Sequence, residues 1–312
     1  MDRAIRHYFS SNIESRQRLD GGISFQTWLL TLENKMKIIF RYDEEMGVQE
    51  PLGNYYSVPT IEVFRREQQF YNGINEVWSD ICPQIIVIDG SLEYFTHPFQ
   101  MYHYIEGESL EQLAPAMSTV RRDALLEQIG ELVGRIHEVK LSKGNDRYKE
   151  SDDWRKFIAA SLHDKLSSIM HDVHIDEKEL DHCCGAALKY ANIKEVNNYL
   201  HLDIRPCNII SDGQKLFLID AENCEWGDPD YELARLEACR MLEPAFLKGY
   251  QRVRNERKLD FTSNLFKVYR LDMAAQMVYL YLHIIKVSED DLQYQLNAFD
   301  AAKREVLKLD IS

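Results

Sequence analysis

The sequence predicts an α+β protein in which a small β-rich part precedes a mainly helical part, and three observations predict it. Two strand-like runs, Phe25–Leu32 and Lys37–Tyr42, are joined at Glu33-Asn-Lys35 and read as a hairpin. From Thr119 onward the apolar residues Leu125, Ile129, Leu132, Val133 and Ile136 recur at three- and four-residue spacing, the period of an amphipathic helix. Late in the chain, Ser211-Asp-Gly213 sits between two apolar runs, a strong hairpin signal.

Each element follows from its residues. In the run Lys37–Tyr42, Lys37, Ile39 and Arg41 share one face and Ile38 and Phe40 the other, by the two-residue period of a strand. One basic side chain can therefore face a pocket. Ahead of the hairpin, Asp20-Gly-Gly-Ile-Ser24 is a turn whose backbone N–H groups can approach an anion closely; a plain turn would use the same residues. The tract 151–198 has helical apolar spacing in places, with Trp154 and Phe157 as core or pocket-wall residues. Tyr231–Leu242 and Leu265–Val287 read as helices, the latter carrying aromatics at helical spacing, with Asp272 embedded.

Composition sets limits on function. A chain of 312 residues with 45% hydrophobic residues can fill sizeable cores and divide into two lobes. No run approaches the length of a membrane span, and the start lacks an apolar signal core, so a cytoplasmic location is expected. The six cysteines show no spaced disulfide framework, and His163, His171, His174 and His182 near Cys183 and Cys184 lack zinc-site spacing. Net charge is −14, and residues 1–105 carry 9 Lys and Arg against 14 Asp and Glu. This excess argues against nucleic acid or an anionic membrane as partner. It tilts the expected ligand toward a small cationic molecule, although acidic surfaces also serve solubility alone.

The densest chemistry lies in His201-Leu-Asp203-Ile-Arg205-Pro-Cys-Asn208, followed by Leu218-Ile-Asp220-Ala-Glu222. Asp203 could take a hydroxyl proton, Asn208 offers a neutral amide oxygen, and Asp220 supplies a charged oxygen to Mg²⁺. That division of labour is the one phosphoryl transfer needs. Taken singly, any of these residues could be a solvated turn residue.

With Gly227-Asp-Pro-Asp-Tyr-Glu232-Leu233 added, the motifs resemble the aminoglycoside phosphotransferase and choline kinase family of kinase-like small-molecule phosphotransferases. The chain departs from that pattern at Glu232, where the family usually has Asp, and at Arg205, where it commonly has a small residue or His. The resemblance implies a bilobal protein-kinase-like fold: an N-terminal nucleotide-binding lobe over 1–105, an antiparallel sheet with one helix, and a C-terminal catalytic and substrate-binding lobe over 106–312. It further implies that Arg41 pairs with nucleotide phosphates and with Glu67 on the following helix, although a surface salt bridge would use the same residues. Ser24 would sit on a phosphate loop, and the backbone of His103 and Ile105 would meet the purine, with Tyr102 behind it.

The expected activity is transfer of the γ-phosphate of ATP or GTP to a hydroxyl of a small, cationic acceptor, aminoglycosides being the leading class. Choline, ethanolamine, homoserine and amino sugars stay open. Asp203 is the expected catalytic residue, Mg²⁺ the cofactor held by Asn208 and Asp220, and a monomer or homodimer the expected state. A kinase-like protein that binds nucleotide without catalysis is the alternative from another class. A protein kinase is disfavoured because no Asp-Phe-Gly or Ala-Pro-Glu motif is present.

Overall fold

The computed structural model describes residues 1–19, 24–44, 58–193 and 196–311. In chain order it runs α1 (Asp2–Phe9), β1 (Ile13–Leu19), β2 (Gln26–Leu32), β3 (Lys37–Tyr42), α2 (Thr60–Val77), β4 (Ile85–Asp89), β5 (Phe99–His103), β6 (Glu108–Ser109), α3 (Leu110–Leu113) and α4 (Thr119–Ile136). Then come α5 (Ser151–Ile169), α6 (Glu177–Tyr190), β7 (Asn198–Leu200), β8 (Ile209–Ser211), β9 (Leu216–Leu218), β10 (Glu225–Gly227), α7 (Pro229–Ala238), α8 (Pro244–Val253), α9 (Asn264–Tyr279) and α10 (Glu289–Val306).

The described residues fall into two compact units. One takes those of Met1–Pro51, Tyr56–Ala116 and Pro206–Cys224, the other those of Met117–Arg205 and Glu225–Ser312. No helix among them is long and apolar enough to cross a membrane.

In the first unit, five antiparallel strands take the order β1-β2-β3-β5-β4. The alternation in β3 does what the sequence indicates: Ile38 and Phe40 join a buried cluster with Leu30, Leu32, Phe99 and Met101, while Arg41 points into the opposite face beside α2. The short helix α1 closes the apolar face with Ala4 and Ile5. β8 and β9 form the hairpin around Ser211-Asp-Gly213, with Ile209 opposite Leu218, and β6 adds a third strand to it. Gly107, just before β6, has φ +149, and a Cβ there would strike the Ser211 carbonyl. Only glycine lets the linker pass so close to the hairpin.

The second unit is built from α4 to α10 and the two-stranded β7/β10 ribbon. α4 and α8 pack so closely that a Cβ on Gly249 would collide with the Glu127 carbonyl. Trp154, Phe157, Tyr231 and Tyr269 are buried and in ring contact, so of the two readings of Trp154 and Phe157 the structure has the core one. The helix expected over Leu265–Val287 ends sooner. Its regular α-turns stop at Tyr279 and a wider turn covers Leu280–Ile284.

Candidate functional site

Arg41 organises the first unit's polar centre. It is 4% exposed, its guanidinium lies 4.3 Å from the centre of the Phe25 ring, and it meets three carboxylates. Nη1 donates to Glu67 at 3.2 Å, and Nη2 donates to Asp220 at 2.8 Å and to Glu222 at 2.7 Å. A planar fork can hold separated acids at once, which the single ammonium of lysine does less well. Burial works against this charge, but Glu67, Asp220 and Glu222 outweigh it and hold the guanidinium protonated well above its ordinary range.

Glu67, on α2, is fully buried and is satisfied by more than Arg41. Gln100 Nε2 donates to it at 2.7 Å, the Tyr71 hydroxyl at 2.8 Å and the Ala221 N–H at 3.0 Å. A buried carboxylate needs this full set of donors to avoid a large desolvation cost. The Ala221 N–H is the notable one, because it ties α2 to the segment between Asp220 and Glu222.

Asp220 follows β9 and adopts a left-handed backbone, φ 64, which Asp tolerates better than most residues. The Ile219 N–H donates to the Asn208 carbonyl at 3.0 Å. That bond brings Asn208, in the short turn before β8, to the same end of the hairpin as Asp220. The Asp220 side chain is 31% exposed. Its carboxylate and the Asn208 amide are hard oxygen donors of the kind Mg²⁺ takes in ones and twos, with phosphates and water completing the shell. The residues therefore fit a magnesium ion that arrives with a nucleotide. Among the described residues no group of three or more His, Cys, Asp or Glu is arranged to hold a metal by itself.

Of the remaining nucleotide-side candidates, the Ser24 hydroxyl donates to Glu222 at 3.0 Å. Asp20 to Ile23, the rest of the candidate phosphate loop, lies outside the described residues. His103 ends β5 and Ile105 follows it; both line a cavity of about 600 Å³ with Asn72, Asn75, Cys82 and Phe217. The His103 N–H already donates to the Gln84 carbonyl at 3.3 Å. Its carbonyl is then the main-chain group left to offer a ligand.

Asp203 lies in the second unit, on the loop after β7, and is 4% exposed. Arg205 Nη2 donates to its Oδ2 at 2.7 Å, and Arg235 Nη2, from α7, approaches Oδ1 at 3.4 Å. The loop is braced from behind by Glu232, which accepts the His201 N–H at 3.1 Å and the Leu202 N–H at 2.6 Å. Leu202 has φ 60, an uncommon state for a bulky side chain. Such strain persists only where the surroundings over-determine it, and here Glu232 supplies the restraint. His137 Nε2 sits 2.8 Å from Glu232, and the Tyr250 hydroxyl is 2.9 Å from His137 Nδ1.

His201 Nδ1 accepts the Asp203 N–H at 3.2 Å. Asp228 caps α7 by accepting the Asp230 N–H and pairs with Arg257 at 2.9 Å. Asp272, embedded in α9, is fully buried and engaged by Lys165, Ser161 and Tyr231.

Several contributors carried no assignment from sequence. Glu222 stood in the quoted motif without a role, and Gln100 and Tyr71 reach Glu67 from a strand and a helical turn that the pattern shows only as core. The contact of Arg235 with Asp203 spans 32 residues, and no local spacing encodes it.

Comparison with known proteins gives this arrangement a lineage. A thermostable mutant of aminoglycoside phosphotransferase APH(4)-Ia in ternary complex with ADP and hygromycin B is similar at a TM-score of 0.65 and 16% identity, covering 98% of this chain and 98% of that one. The GDP and kanamycin complex of APH(2")-IIia gives 0.63 and 16%, over 96% and 97%. The gentamicin complex of APH(2")-IIa gives 0.60 and 16%, over 99% and 95%. At such identities the likeness establishes the kinase-like fold. No curated protein matches the chain. The sequence profile of the phosphotransferase enzyme family, however, matches residues 15–261, most of the chain, and so the protein belongs to that family and is an enzyme that transfers a phosphoryl group to an alcohol.

Proposed function

We propose that this enzyme moves the γ-phosphate of ATP or GTP to a hydroxyl of a small molecule, with aminoglycosides as the leading acceptor class. The observation that carries the reading is Arg41, held by Glu67 on one side and by Asp220 and Glu222 on the other. Structural neighbours in complex with ADP, GDP, hygromycin B, kanamycin and gentamicin support both the nucleotide and the acceptor class.

In this reading Asp203 orients the acceptor hydroxyl and receives its proton. The hydroxyl oxygen bonds to the γ-phosphorus as the bond from that phosphorus to the bridging oxygen breaks, and the nucleoside diphosphate leaves with the electron pair. Asn208 and Asp220 hold Mg²⁺, which when bound offsets the charge of the nucleotide phosphates. Arg41 turns Nη2 toward those phosphates while Glu67 keeps Nη1, and Ser24 adds a hydroxyl. The His103 carbonyl and the Ile105 N–H meet the purine edge. Because the transferred group passes through a loose transition state, positioning and charge neutralisation supply most of the catalysis.

Coupled nucleotide consumption across a panel of aminoglycosides and amino alcohols tests the activity. Asp203→Ala should lower kcat by ~10²–10⁴, the range of a general base, and leave nucleotide affinity intact. Turnover at the parental rate in that variant would rule out the role of Asp203.

A further inference from the structure

Two consecutive residues of α2 hold one short piece of main chain by its opposite polar groups. Glu67 accepts the Ala221 N–H at 3.0 Å, and the same N–H reaches the Tyr71 hydroxyl at 3.1 Å. Arg66 Nη2 donates to the Glu222 carbonyl at 2.9 Å. Asp220 stands immediately before this piece, and just behind it the Ile219 N–H is on the Asn208 carbonyl. Asp220 is thus carried on a segment tied to α2 on one side and to the turn before β8 on the other.

Arg66 is 8% exposed. The Glu222 carbonyl is its one hydrogen-bond partner among the described residues, and its buried Nε has none. Arg65, beside it, takes the ordinary course of an arginine on a helix: its side chain is 59% exposed and pairs with Glu62 three residues back. Burying a guanidinium on a main-chain oxygen alone is costly, and a buried donor left unpaired calls for a reason. The segment that Arg66 grips supplies one.

The two arginines of this centre hold that segment differently. Arg41 holds the Asp220 carboxylate itself, and in the proposed reaction it turns Nη2 to the nucleotide phosphates. Arg66 holds a main-chain oxygen, a contact that this turn leaves in place. Asp220 has φ 64, an uncommon backbone state that the surroundings must maintain, and the direction of its carboxylate follows from that backbone. Groups that orient a metal ligand without touching the metal set affinity nearly as strongly as the ligands do.

We infer that Arg66 is a positioning residue for the metal: with Glu67 it fixes the main chain from Ala221 to Glu222, so that Asp220 stays aimed at Mg²⁺ once Arg41 has turned to the phosphates. The inference rests on the reading of Asp220 as a metal donor. It gives Arg66 no contact with nucleotide, acceptor or metal, and its loss is therefore felt through Mg²⁺ alone.

The test measures ATP affinity of the full chain by calorimetry, with Mg²⁺ and with Mg²⁺ withheld, in the parent, Arg66→Met, Arg66→Gln, Arg66→Lys and Arg65→Met. Arg66→Met and Arg66→Gln both remove the charge and shorten the side chain, one without a donor and one with. Both should bind ATP about tenfold or more weakly in Mg²⁺, and within about twofold of the parent without it. The Mg²⁺ concentration that half-saturates ATP binding should rise by a similar factor. Arg66→Lys, which keeps a charged donor, should return to within about threefold of the parent, and Arg65→Met should match the parent in both conditions. Parental affinity of the two neutral variants in Mg²⁺, an equal loss with and without Mg²⁺, or no recovery in Arg66→Lys would overturn the inference. Asp220→Ala keeps this apart from the metal reading. If that variant binds ATP in Mg²⁺ as tightly as the parent, Asp220 is not a metal donor and the inference falls with that reading; if it loses affinity while the Arg66 variants do not, the inference alone falls.

Discussion

The centres of the two units solve opposite electrostatic problems with the same two kinds of side chain. Around Arg41, one guanidinium is shared by Glu67, Asp220 and Glu222. Around Asp203, one carboxylate is shared by Arg205 and Arg235. Carboxylates gathered around one guanidinium, two of them partly exposed, suit a further cation, which is what a magnesium site needs before nucleotide arrives. Two guanidinium groups around one carboxylate favour the anionic character that builds up in phosphoryl transfer.

The largest effect on metal-dependent nucleotide binding should come from breaking the negative side. Asp220→Ala removes the carboxylate that is a partner of Arg41 and the proposed charged donor for the metal. Nucleotide affinity measured with Mg²⁺ should fall by at least the ~10–100-fold that loss of a supporting partner costs a metal site, with little change when Mg²⁺ is withheld. Equal affinities of parent and variant in the presence of Mg²⁺ would leave Asp220 without its proposed purpose.

A second experiment compares the two centres through stability. Arg41→Met leaves Glu67 buried without its cation, a change that costs about 3–5 kcal/mol where no other donors remain. Gln100, Tyr71 and the Ala221 N–H stay in place, so the loss should fall at or just below the bottom of that range. Arg205→Gln opens a half-exposed pair and should cost less than about 1 kcal/mol. Urea unfolding of both variants gives the contrast directly. Similar losses would mean that the clusters differ in charge but not in how firmly each holds its arginine.

Sequence carried the chemistry in proportion to how local it is. Asp203, Asn208 and Asp220 lie on one short stretch whose spacing alone suggests their division of labour, and the strand period put Arg41 on the face opposite Ile38 and Phe40, where the structure has it. Elements without a pattern left no trace: β1, Ile13–Leu19, is exposed along almost its whole length and so shows no alternation, and α1 is a single short stretch. Partners distant in sequence were equally silent. Lys165 and Asp272 sit on α5 and α9 and form a buried pair, yet each helix alone shows only a polar residue among apolar ones. Glu232 was legible only as a motif position; neither its bracing of the Asp203 loop nor its link to His137 was, the latter because 95 residues separate them.

That link gives the smallest effect, and its sign can be worked out. His137 is fully buried between Glu232 and Tyr250. Burial lowers its pKa below the ordinary 6.5, against the pull of Glu232. Glu232 is also held low: burial pushes it up, but His137 and the Leu202 N–H outweigh that. Both groups take up protons more readily in the unfolded chain, so acid destabilises the fold. His137 contributes its share above pH 6.5 and loses it as pH falls below that value, and the share of Glu232 is lost further down, as pH falls below 4.5. Asp228, which burial raises to about 6 despite Arg257, acts in the opposite sense, its contribution fading as pH rises through that value. The stability of the parent alone is therefore a mixture, and the difference between parent and His137→Gln isolates the imidazole. Urea unfolding between about pH 7.5 and 5.5 should show that difference shrinking on acidification, by no more than about 1.4 kcal/mol per pH unit. A difference that stays constant over the interval would show that His137 is not held neutral, and that Glu232 braces the loop without depending on the protonation of its neighbour.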